Sequence, residues 1–106
     1  MRTPPLILIV EDNPASLDIL KTRLTSHNYE VITATNGEEG LVMGKERQPD
    51  LILLDIMMPK MDGLEVCRAL KQDPATASIA VVMLTSLAFF GVFLYLTTRR
   101  MRRREG

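Results

Sequence analysis

This 106-residue chain has one cysteine, one histidine and no lysine beyond Lys71. A single cysteine cannot form an internal disulfide, and Cys67, beside Val66 and Leu70 in a helical pattern, reads as a buried thiol rather than a nucleophile. No segment matches a phosphate-binding loop or a dinucleotide fingerprint. Gly37, Gly40 and Gly44 instead lie in or beside a helical stretch, so nucleotide binding has little support. There is no internal repeat. The N-terminus carries one arginine and a short apolar run broken by Glu11, which is not a signal-peptide pattern, so a cytoplasmic setting is the default. The length suits one domain with a real core.

The 13 basic and 13 acidic residues cancel only in total. Residues 1–98 hold eight Lys/Arg against twelve Asp/Glu, whereas residues 99–106 hold five arginines and one glutamate. The main body is therefore acidic and the end basic, and overall neutrality says little about the local field.

Along the chain, strand-like and helix-like patterns alternate. Leu6–Val10 is a continuous apolar run of the kind buried on both faces. Asn13-Pro14 reads as a cap and first turn, followed by Leu17, Leu20 and Leu24 at helical spacing up to His27-Asn28. Tyr29–Ala34 predicts a second, more exposed strand. Asn36 and Glu39 match a capping box for a helix running to about Arg47. Pro49-Asp50 breaks that helix before a strand over Leu51–Leu54. Asp62 and Glu65 repeat the capping-box spacing ahead of Leu64, Cys67 and Leu70; Asp73-Pro74 ends the helix, and Ile79–Leu84 is a fourth strand. Such alternation implies parallel βαβ units with right-handed crossovers, an α/β fold with helices on both faces of the sheet.

In such sheets ligands collect outside the carboxyl ends of the strands. Glu11, Asp12 and Asp55 all fall there. Converging carboxylates repel and raise one another's pKa unless a cation offsets them, and Mg²⁺ suits an oxygen-only site. Thr85 and Ser86 follow the fourth strand, so one hydroxyl could reach the same mouth. Carboxylate, metal and hydroxyl together make a plausible phosphoryl-accepting pocket, with Asp55 as nucleophile and Glu11 and Asp12 holding the ion. His27, near a helix end away from the strand mouths, fits a surface or capping role. Met57, Met58 and Met61 fit loop packing, because thioethers favour soft ions.

The segments Val10–Asn13, Asp55–Glu65 (DIMMPKMDGLE) and Met83–Ser86 resemble the receiver domain of bacterial two-component response regulators, over roughly residues 5–88. The resemblance implies a flavodoxin-like parallel sheet with flanking helices. It implies Asp55 as acceptor of a phosphoryl group from a histidine kinase or phosphotransfer protein. Asp12 and Asp55 would be direct Mg²⁺ ligands, with Glu11 acting through water and the Met57 backbone carbonyl completing the protein ligands. Thr85 would be the switch hydroxyl, and Pro59 and Gly63 would shape the loop after Asp55. Such a domain is not an enzyme beyond its own phosphorylation and dephosphorylation.

The last part of the chain departs from that pattern. Residues 1–88 read as the receiver-like core and 89–106 as an atypical tail, apolar and then rich in arginine. The lysine that the family places after a fifth strand is absent. Only seven residues separate Leu84 from Val92, fewer than the ten or so that a helical crossover needs. A truncated or frame-altered end, an internal deletion, and an alternative C-terminus that closes the fourth-strand edge in a homodimer each account for this. A membrane tether through residues 79–97 is a weaker alternative, since Ile79–Leu84 is already claimed by the sheet. The five terminal arginines indicate only nonspecific electrostatic capacity toward nucleic acid. The alternative function is a phosphorylation-defective receiver fragment acting as an interaction or scaffold domain; a hydrolase using the same acids is weaker still.

Overall fold

The computed structural model describes residues 3–56, 58 and 62–84. Expectations concerning Met57, Pro59, Met61 and residues 85–106, Thr85 and Ser86 among them, lie outside the described residues.

Four strands and three helices alternate: β1 (Leu6–Val10), α1 (Pro14–Ser26), β2 (Glu30–Ala34), α2 (Gly37–Arg47), β3 (Leu51–Asp55), α3 (Gly63–Gln72) and β4 (Ala80–Leu84). The strands pair in parallel in the order β2-β1-β3-β4. The first crossover steps from β1 to β2, and the next returns past β1 to β3. With right-handed connections, α1 and α2 must then lie on opposite faces. β1 is central and buried at all five positions, as its unbroken apolar run requires.

Leu8, Val10, Ile52, Leu54, Val81 and Met83 meet Val66, Cys67 and Leu70 of α3 in the main core, with Leu41 and Met43 of α2 packed against it. α2 approaches closely because Gly40 faces β1: a Cβ there would stand 2.9 Å from a Val10 methyl. On α1, Leu17, Leu20 and Leu24 are half-buried, and that helix buries no residue fully.

Local chemistry sets the helix ends. Asn13 accepts from the N–H groups of Ala15 and Ser16, and Pro14 fills the first turn. Asp62 and Glu65 form the full reciprocal capping box. The box expected at Asn36 is only half made. Asn36 accepts from the Glu39 N–H at 2.8 Å, but the Glu39 carboxylate reaches one residue further back, to the Thr35 N–H at 2.7 Å. α2 ends on Gln48, whose φ of 49° is the left-handed cap geometry usual for glycine or asparagine. Leu64, expected on the inner face of α3, is instead 52% exposed; Gly63 and Val66 take the inward positions beside Cys67 and Leu70.

The turn from α3 to β4 is fastened by side chains. The buried Thr76 hydroxyl donates to the Leu70 carbonyl at 2.7 Å, and Lys71 Nζ donates to the carbonyls of Ala77 and Ile79. These bonds occupy backbone acceptors near the C-terminal end of α3 and in the turn that follows it. No helix among the described residues is long and apolar enough to cross a membrane. Because Ala80–Leu84 form β4, a span over residues 79–97 would have to remove that strand from the sheet.

Candidate functional site

The strand order reverses direction between β1 and β3, and in an open parallel sheet this switch point opens a crevice at the carboxyl ends. Val10 pairs with Leu54 in register, so the next residues on the two strands, Glu11 and Asp55, emerge side by side. The Glu11 N–H donates to the Ala34 carbonyl at 3.0 Å, which carries the β1–β2 ladder one step past Val10 and fixes where Glu11 begins. Asp12 follows at the rim. Both Glu11 and Asp55 are buried, while Asp12 is exposed. One carboxylate oxygen from each of the three lies within 4.8 Å of the others.

Burial pushes the Glu11 carboxyl up from 4.5 to about 7. The Asn13 N–H, donating to Glu11 Oε2 at 3.1 Å, pulls the other way. A hydrogen bond with Asp55 and the charges of Asp55 and Asp12 add to the rise. Three acids crowded at one mouth need a counter-charge. The donor set is all hard oxygen, and two ligands on one Mg²⁺ stand at most about 4.2 Å apart, near the spacing found here. Small closure or an intervening water accommodates the remainder, so the residues fit Mg²⁺.

Behind the carboxylates, the Ile56 backbone is held from several sides. The Ile56 N–H donates to the Leu84 carbonyl at 3.0 Å, and the Ile56 carbonyl accepts from Gly63 at 3.0 Å and Met58 at 3.1 Å. Met58 is buried in the core, as loop packing requires.

The structure thus brings together Glu11, Asp12 and Asp55, the three acids singled out in the sequence, and places Gly63 directly behind Asp55. Met57 and Thr85, expected as carbonyl ligand and switch hydroxyl, lie outside the described residues. His27 caps α1 and lines an open groove of about 720 Å³ with Thr3, Pro4, Pro5, Asn28 and Tyr29, on the side of the sheet where the strands begin. It takes no part in the acid cluster. Sequence reasoning gave Asn13 only a capping role and missed its backbone hold on Glu11; the close Glu-Asp-Asn-Pro spacing was the available signal.

Residues 7–89 match the family described as the response regulator receiver domain. The chain is 51% identical over 81 residues to the response regulator PleD of Caulobacter vibrioides, covering 76% of this chain and 18% of that protein. It is 46% identical over 83 residues to the DNA-binding dual master transcriptional regulator RpaA of Synechocystis sp., covering 78% of this chain and 34% of that protein. The chain therefore spans only about a fifth to a third of the length of these two curated relatives. The crystal structure of the N-terminal domain of a response regulator receiver protein from Methanoculleus marisnigri JR1 matches with a TM-score of 0.77 at 37% identity, covering 96% of this chain and 92% of that one. Sequence and fold agree: this chain belongs to the response regulator receiver domains, the phosphoacceptor units of two-component systems.

Proposed function

We propose that Asp55 is the phosphoacceptor and that a histidine kinase or phosphotransfer protein is the donor. The observation that carries this is the meeting of the Glu11, Asp12 and Asp55 carboxylates within 4.8 Å at the β1–β3 switch point. Asp55 is the acid that stands on β3 itself, in register with Leu84 of β4, and the next residue, Ile56, is hydrogen-bonded to Leu84 and to Gly63 at the start of α3. An Asp55 carboxylate oxygen attacks phosphorus; the new P–O bond forms as the P–N bond to the donor imidazole breaks, and the imidazole leaves with the bonding electron pair and is protonated. Asp12 and Asp55 would hold Mg²⁺ directly, Glu11 would act through water, and the Met57 carbonyl would complete the protein ligands. When bound, Mg²⁺ would supply a counter-charge to the acid cluster and to the incoming phosphoryl oxygens. Thr85, next in the chain after β4, supplies the switch hydroxyl.

The absence of any lysine after Lys71 supports a second reading. In that reading no other cation takes the lysine's place beside the developing negative charge, phosphoryl acceptance is slow and the domain acts mainly as an interaction module. In either case the output depends on partners or segments beyond this stretch, in keeping with the small share of its relatives that the chain spans. A homodimer that closes the β4 edge is one such partner arrangement; no specific nucleic-acid contact is proposed for this domain.

The test is exposure of the folded protein to acetyl phosphate with Mg²⁺, followed by intact mass. The first reading predicts a single phosphoryl adduct within minutes, labile to base and to hydroxylamine and absent from Asp55→Asn. Mg²⁺ binding without such an adduct supports the second reading and sinks the first.

A further inference from the structure

We propose that Gly63 is a positioning residue for Asp55: its missing side chain lets the start of α3 press directly on the Asp55–Ile56 peptide and so sets where the Asp55 carboxylate stands. The inference rests on Asp55 being the phosphoacceptor. Gly63 has no positive φ, so conformational freedom does not explain a glycine there. Space does. A Cβ at position 63 would stand 2.6 Å from the Asp55 carbonyl oxygen, 2.6 Å from Ile56 Cα and 3.0 Å from the Asp55 carbonyl carbon. All three are backbone atoms, and none can rotate away.

The peptide cannot yield freely either. Its Ile56 N–H is tied to the Leu84 carbonyl on β4, and the Ile56 carbonyl, one peptide further on, is tied to the Gly63 N–H. The helix is equally constrained. Val66, Cys67 and Leu70 anchor it in the core. An added methyl must open these contacts from 2.6 Å to at least about 3.4 Å, where ordinary contact begins. Whichever side moves, Asp55 shifts relative to Glu11 and Asp12 or loses its support. Gly44 provides the contrast: a Cβ there would meet nothing closer than the flexible Leu70 side chain at 3.4 Å.

The test compares the wild type with Gly63→Ala, Gly44→Ala and Asp62→Ala, each checked for folding by circular dichroism. For each, the rate of phosphoryl uptake from acetyl phosphate is measured at saturating Mg²⁺, and Mg²⁺ affinity is measured separately. Misplacement approaching 1 Å predicts that Gly63→Ala slows uptake on the order of 100-fold and weakens Mg²⁺ binding while the protein stays folded. Gly44→Ala and Asp62→Ala are expected to keep both values within about twofold, since the first adds a tolerated methyl and the second costs only a helix cap. Wild-type uptake together with normal uptake by Gly63→Ala would overturn the inference and leave the Asp55 assignment standing. No uptake by the wild type would instead remove that assignment, and with it the inference. Equal losses in Gly63→Ala and Asp62→Ala would reduce Gly63 to a helix-stability role and refute positioning. Should Gly63→Ala not fold alone, the Gly44→Ala/Gly63→Ala double variant supplies compensating helix propensity; failure to fold in that background also overturns the claim.

Discussion

Raising the pH from 5 to 7 in EDTA should destabilise this domain, and Glu11 is the cause. Its carboxyl titrates near 7 in the folded protein against 4.5 in the free group. Between those values the folded state keeps a proton that the unfolded chain has released. Stability is therefore highest below about pH 4.5 as far as this group is concerned, and falls as pH rises through about 7. The full difference corresponds to at most ~3 kcal/mol at ~1.36 kcal/mol per pH unit. Solvent at the open rim, where Asp12 is exposed, reduces this to ~1–2 kcal/mol. For a domain of this size that is a fall of roughly 5–15 °C in Tm. Asp73 acts in a separate window: the Ala75 N–H and Lys45 hold its carboxyl below 3.8, so its contribution is present above that pH and lost only on further acidification. The assay is thermal unfolding by circular dichroism at pH 5, 6, 7 and 8, in EDTA and in Mg²⁺. In EDTA the Tm should drop across the series, and Glu11→Gln should remove most of that slope. Mg²⁺ needs ionised ligands, so it should restore stability mainly at pH 7 and 8, by ~2.7 kcal/mol at a hundredfold excess over its Kd. A wild-type Tm that is flat or rising between pH 5 and 7 in EDTA, or a slope unchanged in Glu11→Gln, would refute the reasoning.

Two substitutions probe the packing that holds the site. Gly40→Ala places a methyl 2.9 Å and 3.1 Å from the Val10 side chain, and urea unfolding should show a net loss of ~1–3 kcal/mol despite the gain in helix propensity; a gain would mean that Val10 rotates away at no cost. Thr76→Val removes the buried donor to the Leu70 carbonyl and should cost ~1–2 kcal/mol by the same assay, with Mg²⁺ affinity unchanged because this turn is at the other end of β4 from the acids.

The fold was largely legible because burial writes itself into periodicity. The unbroken run at Leu6–Val10 marked the central strand with the boundaries observed, and its direct run into Glu11-Asp12 marked the mouth. Asp55 was legible for the same reason, as the acid that terminates another apolar run. What escaped were contacts between a side chain and distant backbone. Nothing in the spacing of Asn36 and Glu39 says that the carboxylate will pass over Asn36 and settle on Thr35. Leu64 fitted a helical stripe, but α3 is rotated so that Gly63 can touch the Asp55–Ile56 peptide, which turns Leu64 to solvent. The fastening of the α3–β4 turn by Lys71 and Thr76 likewise depends on where the chain folds back, beyond the reach of a local pattern.

The account stands most directly on which residue carries the phosphoryl group. Protein phosphorylated with acetyl phosphate and Mg²⁺ can be reduced with borohydride, which converts an aspartyl phosphate to homoserine, and the digested peptides then sequenced by mass spectrometry. The predicted result is homoserine at position 55 and at no other aspartate. Homoserine at position 12 instead, or a phosphoryl adduct that persists in Asp55→Asn, would contradict it.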